Sequence, residues 1–165
     1  MFVARNHKGL LCNALEEKIE KGADFVCPAC SGAVRFKKGK VMQPHFAHVS
    51  LEECRFYREN ESAEHLNLKA ELFRWAVQTE EVEVEAFLPA LQQIADLLVD
   101  KKLALEVQCS PLSIERLQER TFSYRQHGYQ VLWLLGRKLW LKDSLTRLQK
   151  DFLYFSKNMG FHLWE

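Results

Sequence analysis

The segment IADLLVDKKLALEVQC, residues 94–109, constrains the fold of this chain more than any other. Its two apolar halves, separated by the polar residues 100–102, predict two β-strands joined by a tight loop. A three-residue loop places Leu97 opposite Leu105 and makes one face of the hairpin wholly apolar. A two-residue loop would place Leu97 opposite Glu106 and mix apolar with charged side chains. The hydrophobic pattern therefore predicts the three-residue loop.

The same register brings two carboxylates together on the other face of the hairpin. Asp96 pairs with Glu106, and Ile94 pairs with Gln108. Each acid lies inside a strongly apolar strand, where an unpaired charge is costly, and like charges directly opposite each other destabilise a sheet. A cation between them would remove both costs, and hard oxygen ligands suit Mg²⁺ or Mn²⁺. Asp96 and Glu106 are therefore predicted to bind a divalent metal ion.

Composition narrows the class of protein. The chain has 165 residues, of which 47% are hydrophobic, and a formal net charge of +1, so its total charge does not indicate a nucleic-acid partner. Its apolar runs are too short to cross a bilayer, and its N-terminal residues lack the apolar stretch of a signal peptide. A cytoplasmic location is therefore expected. Five cysteines, two of them in a Cys-x-x-Cys pair, favour a metal site over disulfides.

Hydrophobic periodicity predicts two parts of the chain. Residues 1–60 contain short alternating stretches and predict a small β-rich module that needs a staple to fold. Residues 61–165 predict the order helix, three strands, helix and strand. These elements cover residues 61–78, 82–88, the hairpin 94–109, 113–127 and 129–135. The strand–helix–strand step implies a parallel pair, so we expect an α/β fold with a mixed sheet flanked by helices, followed by a helical tail from 143 to 155.

A candidate zinc site lies in the N-terminal part. Cys27 and Cys30 supply two sulfur ligands from one tight turn, and His45, His48 and Cys54 follow, so five side chains compete for the four positions of a tetrahedral site. We favour Cys27, Cys30, His48 and Cys54, with His45 as the alternate ligand. Four protein ligands leave no open position, which predicts a structural zinc ion. The alternative is that the cysteines are ordinary reduced thiols and the histidines lie on the surface.

Glu64, in the first turns of the first predicted helix, adds a third acidic side chain. On the order αβββαβ, the set Glu64, Asp96 and Glu106-x-Gln108 resembles the PD-(D/E)xK nuclease-like fold. The resemblance implies that the acidic residues hold a divalent cation, which activates a water and stabilises charge on the scissile phosphate. Gln108 stands where that fold usually has lysine, and glutamine can orient a water only through hydrogen bonds. Lys69 on the first predicted helix is another source of positive charge.

Several segments together resemble the CoiA competence protein family, namely CPAC, PHFAH, ESAEHLNLKAEL, QQIADLLV and LALEVQC. The resemblance covers essentially the whole chain, and because family members are generally longer, the chain resembles their N-terminal part. It implies a role in natural transformation, in which incoming single-stranded DNA is processed or recombined after uptake. The implied activity is that of a Mg²⁺- or Mn²⁺-dependent deoxyribonuclease, with Glu64, Asp96 and Glu106 as metal ligands and Gln108 in place of lysine. The implied partners are DNA, foremost single-stranded DNA, and recombination proteins, without insertion into a membrane.

A stripe on the second predicted helix is a candidate DNA-binding surface. Arg116, Arg120 and Tyr124 recur every four residues, so the arginines could hold phosphates while the tyrosine stacks on a base. The alternative is an ordinary solvated helix face with internal pairs to Glu115 and Glu119. A second, modest basic patch on the predicted N-terminal ribbon comprises Arg35, Lys37, Lys38 and Lys40.

Two other classes of function remain open. The absence of lysine at position 108 favours a non-catalytic DNA-binding or adaptor protein that keeps the nuclease-like fold. The third class is a structural zinc protein that binds another protein. A protein of that third class would show no salt-dependent binding to DNA, because such binding arises from contacts to phosphates.

Overall fold

The computed structural model describes residues 1–20, 22–50, 54, 56, 61–158 and 160–163. It has a mixed α/β architecture with a five-stranded sheet, a four-stranded sheet and a short two-stranded hairpin. The expected class of fold, an α/β protein with a β-rich N-terminal part, is therefore confirmed.

The N-terminal part forms an antiparallel sheet with the strand order β2-β1-β3-β4-β5. Its strands are β1 (Val3–Asn6), β2 (Leu11–Asn13), β3 (Phe25–Val26), β4 (Ala33–Lys37) and β5 (His45–His48). Phe25, Val34 and Phe46 belong to a core that also contains Cys27 and Cys54. Two cysteines of the predicted zinc site are therefore part of the core of this sheet.

The second part has the predicted order αβββαβ. Its elements are α1 (Ala63–Ala76), β6 (Val82–Leu88), β7 (Gln93–Val99), β8 (Leu103–Gln108), α2 (Ile114–Gln126) and β9 (Gln130–Leu135). The sheet has the order β6-β7-β8-β9, and only its β8–β9 pair is parallel among the described strands. Helix α2 connects these two strands, as the predicted strand–helix–strand step requires.

Both long helices begin at a serine, Ser62 or Ser113, a residue type that the sequence favours as an N-cap at these positions. The hydroxyl of Ser62 accepts the N–H of His65 at 3.1 Å, and that of Ser113 accepts the N–H of Arg116 at 3.2 Å. Such side chains satisfy N–H groups that have no partner within the helix. The caps fix where α1 and α2 start, and so fix which of their side chains face the sheet.

The hairpin register is confirmed near the loop and wrong further along. Val99 pairs with Leu103, and Leu97 with Leu105, as predicted. The predicted pairings of Asp96 with Glu106 and of Ile94 with Gln108 do not form, because Asp96 Oδ2 accepts the N–H of Val107 at 2.8 Å. The carboxylate thus takes the place of a backbone carbonyl in the ladder.

The two helices pack in two separate cores. Leu66 and Phe73 of α1 pack with Leu97, and Phe2 of the N-terminal segment joins this core. The α2 core is formed by a different set, which includes Leu98, Ala95, Ala104, Leu117, Tyr124 and Trp133. Ala95 and Leu97 therefore pack in different cores, although simple alternation along β7 would place them on one face.

The tail does not form the helix predicted for residues 143–155. A short 3-10 helix covers Arg137–Leu139, α3 covers only Arg147–Asp151, and β10 (Tyr154–Ser156) pairs with β11 (Gly160–His162). The hydroxyl of Tyr154 accepts the N–H of Trp133 on β9 at 2.7 Å. This tertiary contact outweighs the helical pattern of the local sequence, because it satisfies a polar group on the edge strand of the sheet.

Candidate active site and metal site

An open cleft collects most of the predicted site residues. It lies at one end of β7 and β8, beside the start of α1 and along α2. Its lining includes Asp96, Glu106, Gln108, Arg116 and Arg120, which the sequence predicted, and Glu61 and His65, which it did not. The cleft is therefore the candidate active site.

Asp96 is held as a carboxylate at the base of the cleft. Its side chain is 14% exposed, Oδ2 lies 3.1 Å from His65 Nε2, and Oδ1 lies 3.5 Å from Lys69 Nζ. Burial alone would raise the pKa of Asp96, but His65, Lys69 and the N–H of Val107 outweigh it and hold that pKa well below its ordinary value. Asp96 is therefore ionised at neutral pH.

Lys69 supplies a buried positive charge beside Asp96. Its side chain is 1% exposed, and Nζ pairs with the carboxylates of Glu61 and Glu85, the latter at 2.7 Å. Burial alone would lower the pKa of Lys69, but Glu61, Glu85 and Asp96 raise it well above its ordinary value. A lysine from α1 thus stands close to the site although position 108 is glutamine.

Glu61, just before the start of α1, is the acidic residue that lies close to Asp96. Ligand atoms of Glu61, His65 and Asp96 all lie within 4.8 Å of one another. Lys69 and the α-amino group of Met1, 2.5 Å from Oε2, outweigh the effect of burial and lower the pKa of Glu61 to about 2. The spacing of Glu61, His65 and Lys69, each four residues apart, was the sequence signal that could have identified this face of the helix.

Glu64 lies elsewhere, against the start of the 3-10 helix. Its Oε1 accepts the N–H of Arg137 at 2.8 Å, and its side chain lines a second cleft with Trp140. The predicted meeting of Glu64 with Asp96 and Glu106 is not found among the described residues. The reason is helical geometry: Glu64 immediately precedes His65, the α1 side chain that meets Asp96, and consecutive residues are about 100° apart around a helix.

Glu106 is buried and already has two partners. Arg120 Nη2 donates to its Oε1 at 2.6 Å, and the hydroxyl of Tyr124 donates to the same oxygen at 2.5 Å. Burial raises the pKa of Glu106, with Arg120 opposing the shift. Oε2 has no hydrogen-bond donor among the described residues, so one oxygen of this carboxylate is available to another ligand.

The predicted DNA-binding stripe on α2 is only partly exposed. Tyr124 is completely buried, so the expectation that its ring stacks on a base is wrong. Arg120 is paired with Glu106 and lies over the ring of Trp133, with 5.4 Å from Cζ to the ring centroid. Arg116 is exposed and lines the cleft. The hydroxyl of Tyr124 donates to the buried carboxylate of Glu106, so this part of the predicted stripe faces the sheet and not the solvent.

The glutamine at the lysine position is held by its own strand end. Gln108 lines the cleft, and its Nε2 donates to the carbonyl of Ser110 at 2.6 Å. Its amide can orient a water by hydrogen bonding but carries no charge. Positive charge at the cleft comes from Arg116 and Arg120 in its lining and from Lys69, buried beside Asp96.

The four favoured zinc ligands come together in the N-terminal part. Cys27, Cys30, His48 and Cys54 place one ligand atom each within 4.8 Å of the others, and Cys30 Sγ lies 3.5 Å from His48 Nε2. A tetrahedral zinc site with bonds of about 2.3 Å separates its sulfur ligands by about 3.8 Å. The side chains therefore fit a Cys₃His metal site. The alternate ligand His45 is outside this group, and its Nδ1 lies 2.8 Å from the carbonyl of Gln43.

In the Cys-x-x-Cys turn, the backbone of Gly32 packs closely against the sulfur of Cys30. The N–H of Gly32 donates to Cys30 Sγ at 3.3 Å, and a Cβ at Gly32 would lie 3.2 Å from that sulfur, closer than most neighbours tolerate. Burial raises the pKa of the Cys27 thiol to about 12. A buried thiolate at this position therefore needs a cation, which is what a metal ion provides.

A mixed four-stranded sheet in the order αβββαβ, with carboxylates in a cleft at the strand ends and a buried lysine behind them, defines a nuclease-like α/β domain. Residues 61–165 match the family described as "Competence protein CoiA, nuclease-like domain", and residues 11–57 match "Competence protein CoiA, N-terminal domain". The chain belongs to the CoiA competence protein family.

A curated relative supports the same family. The chain is 32% identical to competence protein CoiA of Bacillus subtilis (strain 168) over 159 aligned residues. The aligned region covers 94% of this chain and 40% of that protein. The chain thus spans about 40% of the length of this relative. No solved structure matches the chain. Among the residues described here, no helix is long and apolar enough to span a membrane.

Proposed function

We propose that this chain is a metal-dependent nuclease-like protein that processes incoming DNA during natural transformation. The carrying observation is that Asp96 and Glu106 line one cleft and that Lys69 Nζ, buried behind it, lies 3.5 Å from Asp96 Oδ1. This arrangement provides two acids and one lysine, the set of charges that a nuclease of this fold uses, although the lysine comes from a helix. Membership of the CoiA family supports the DNA context.

Asp96 and Glu106 would hold a Mg²⁺ or Mn²⁺ ion, with Glu61 as a further carboxylate within reach of Asp96. The donor atoms are oxygens, Asp96 is ionised, and Oε2 of Glu106 has no donor among the described residues, so the site fits a hard cation. When bound, such an ion supplies positive charge for the scissile phosphate and makes a water more acidic.

The protein's own side chains would orient DNA beside these acids. Lys69 offsets the negative charge of Asp96, and Arg120 that of Glu106, so a phosphate can approach the carboxylates. Gln108 lines the same cleft and can position a water. Arg116, exposed on the wall of the cleft, is the side chain that we assign to phosphate binding.

The N-terminal sheet offers a second surface for DNA. The five strands contain Arg5, Arg35 and Lys37 but no aspartate or glutamate, and all three cationic side chains are exposed. No ion pair involves them within the described part of the chain. We propose that this face binds the phosphates of single-stranded DNA, and that recombination proteins are further partners.

Cys27, Cys30, His48 and Cys54 would hold a structural zinc ion. Three thiolates and one imidazole are the donor set that Zn²⁺ prefers, and four protein ligands leave no open position for chemistry. When bound, the ion crosslinks the Cys-x-x-Cys turn to the end of β5 and to Cys54. Such a crosslink stabilises a module whose strands are as short as two residues.

A non-catalytic DNA-binding or adaptor protein is the second candidate function. The observation that favours it is the pairing of Glu106 with both Arg120 and Tyr124, since a carboxylate neutralised in this way binds a cation less strongly. Gln108 points in the same direction, because it cannot provide the charge of a lysine.

A cleavage assay separates the two candidates. Labelled single- and double-stranded DNA is incubated with Mg²⁺ or Mn²⁺ and with the wild type, Asp96→Asn, Glu106→Gln or the exposed control Asp143→Asn. We expect cleavage by the wild type and the control, and none by the other two variants. DNA binding without cleavage in either metal would reject the nuclease and support the adaptor. Equal cleavage by Asp96→Asn and wild type would remove this cleft from the reaction.

A further inference from the structure

Glu85 on β6 connects the N-terminal segment to the buried lysine. Its side chain is 2% exposed, and Oε1 pairs with Lys69 Nζ at 2.7 Å. Oε2 accepts the N–H of Phe2 at 2.7 Å and the N–H of Val3 at 3.1 Å. One carboxylate therefore links the start of β1 to the ammonium group that reaches Asp96.

The backbone of β6 departs from strand geometry to make this link. Val84 pairs with Leu97 and Ala86 with Ala95, so Glu85 lies opposite Asp96, at a φ of +53°. A non-glycine residue rarely adopts this left-handed conformation, since its Cβ then crowds its own backbone. Val84 and Ala86 consequently pack in different cores, with the switch between faces at Glu85. A strained residue that makes three specific polar contacts suggests a functional requirement.

The same segment of chain is tied to the candidate zinc site. The carbonyl of Met1 accepts the N–H of Phe46 on β5 at 2.7 Å, two residues before His48. Phe2 is completely buried, and Lys69 Nζ lies 5.4 Å from the centroid of its ring. The N-terminal segment thus runs between the strand that carries a zinc ligand and the lysine of the cleft.

The Cys-x-x-Cys turn also lies directly against β6. Cys27, Pro28 and Ala29 line one small cavity together with Glu85 and Phe87. The ring of Phe56, which lines the active-site cleft, packs edge-on against Phe87 at 5.2 Å between centroids. The N-terminal module therefore contacts the cleft by two routes.

We propose that Glu85 is a positioning residue that makes the placement of Lys69 beside Asp96 depend on the docked N-terminal strand. Glu85 pulls the ammonium group away from Asp96 and divides its charge among several carboxylates. Without that pull, Lys69 would move onto Asp96 and compete with a cation for its oxygens. The proposal rests on the proposed function of the cleft, and it makes the N-terminal module part of the active site.

The test compares Glu85→Gln with Glu83→Gln, the same change at an exposed position two residues earlier on β6. Glutamine at 85 can still accept the two N–H groups but loses the charge that pairs with Lys69. For Glu85→Gln we expect a fall in kcat of roughly ten- to a hundredfold, the cost of about 1 Å of misplacement, with KM and zinc content unchanged. Glu83→Gln should match the wild type. A kcat within twofold of the wild type for Glu85→Gln would overturn the proposal.

A second readout does not depend on cleavage. The nitrogen-15 NMR signal of the Lys69 ammonium group is visible only while burial and ion pairing slow the exchange of its protons. We expect this signal in the wild type and Glu83→Gln and its loss or displacement in Glu85→Gln, with the backbone amide spectrum otherwise preserved. An unchanged signal in Glu85→Gln would overturn the proposal.

The two readouts distinguish failure of the inference from failure of the proposed function. If the wild type cleaves no DNA, the nuclease function fails, and the NMR comparison alone then supports or overturns the role of Glu85. If Glu85→Gln does not fold, Glu85→Asp, which keeps the charge but shortens the reach, is compared with Glu83→Asp in both assays. Unchanged kcat and an unchanged Lys69 signal in Glu85→Asp would then overturn the proposal.

Discussion

Lys69 Nζ lies 3.5 Å from Asp96 Oδ1, although one residue belongs to helix α1 and the other to strand β7. The approach places a buried ammonium group next to a carboxylate at the base of the cleft. Glutamine at position 108 therefore does not leave the site without a lysine. The positive charge comes from helix α1 and not from strand β8.

Replacement of Lys69 by methionine should abolish cleavage and destabilise the fold. The change removes the ammonium group that pairs with the buried carboxylates of Glu61 and Glu85, and breaking a buried pair in this way costs about 3–5 kcal/mol. Urea denaturation measures the loss in the free energy of unfolding. Lys101→Met removes an exposed pair with Glu81 and should leave stability and cleavage unchanged. Equal stability of Lys69→Met and wild type would show that the pairs do not contribute.

Glu61 and Glu64 should differ in their effect on metal binding. Glu61→Gln removes a charge within 4.8 Å of Asp96 and should weaken Mn²⁺ binding by roughly ten- to a hundredfold. Glu64→Gln should have a smaller effect, because Glu64 contacts the backbone of Arg137 and glutamine can accept the same N–H. Titration calorimetry with Mn²⁺ measures both. A larger loss for Glu64→Gln would restore the assignment that the sequence resemblance implies.

Zinc content should identify the histidine ligand. His48→Ala should lose most of the bound zinc, because His48 lies 3.5 Å from Cys30 Sγ within the four-residue group. His45→Ala should keep about one zinc per chain, since His45 is outside that group. Elemental analysis of purified protein gives the ratio. Zinc loss in His45→Ala with retention in His48→Ala would reverse the ligand assignment.

Tyr124 and Arg116 should separate stability from DNA binding. Tyr124→Phe removes the hydroxyl that donates to buried Glu106, which should lower the free energy of unfolding by about 1–3 kcal/mol without weakening DNA binding.

Arg116→Ala should instead weaken DNA binding and leave stability unchanged. The slope of the logarithm of the binding constant against the logarithm of the salt concentration should fall by the amount expected for about one phosphate contact. Fluorescence anisotropy across a salt series measures the binding. Weaker DNA binding by Tyr124→Phe at full stability would contradict the buried role of the tyrosine.

Sequence reasoning worked where a residue's neighbours in the chain decide its environment. The hydrophobic pattern on either side of the loop was enough to predict that Leu97 pairs with Leu105, and two serines were favoured starts for the helices. The grouping of Cys27, Cys30, His48 and Cys54 followed from metal chemistry, because few other arrangements bring four such ligands together.

Sequence reasoning failed where distant parts of the chain compete for one group. Simple alternation could not reveal that Asp96 takes the N–H of Val107, nor that Glu85 adopts a left-handed conformation opposite it. Tyr124 looked like a surface residue because its buried partner, Glu106, lies on another element. Glu61 was missed because one of the groups that hold it, the α-amino group of Met1, lies 60 residues earlier in the chain.

The hydroxyl of Tyr154 has a consequence for solubility. It accepts the N–H of Trp133 at 2.7 Å and lies 3.4 Å from the carbonyl of Val131. At the free edge of β9, this side chain makes hydrogen bonds that a neighbouring strand would otherwise make. An uncovered strand of this kind is a template for pairing with other chains. A shortened protein that lacks the hairpin of β10 and β11 would expose that template and become prone to self-association.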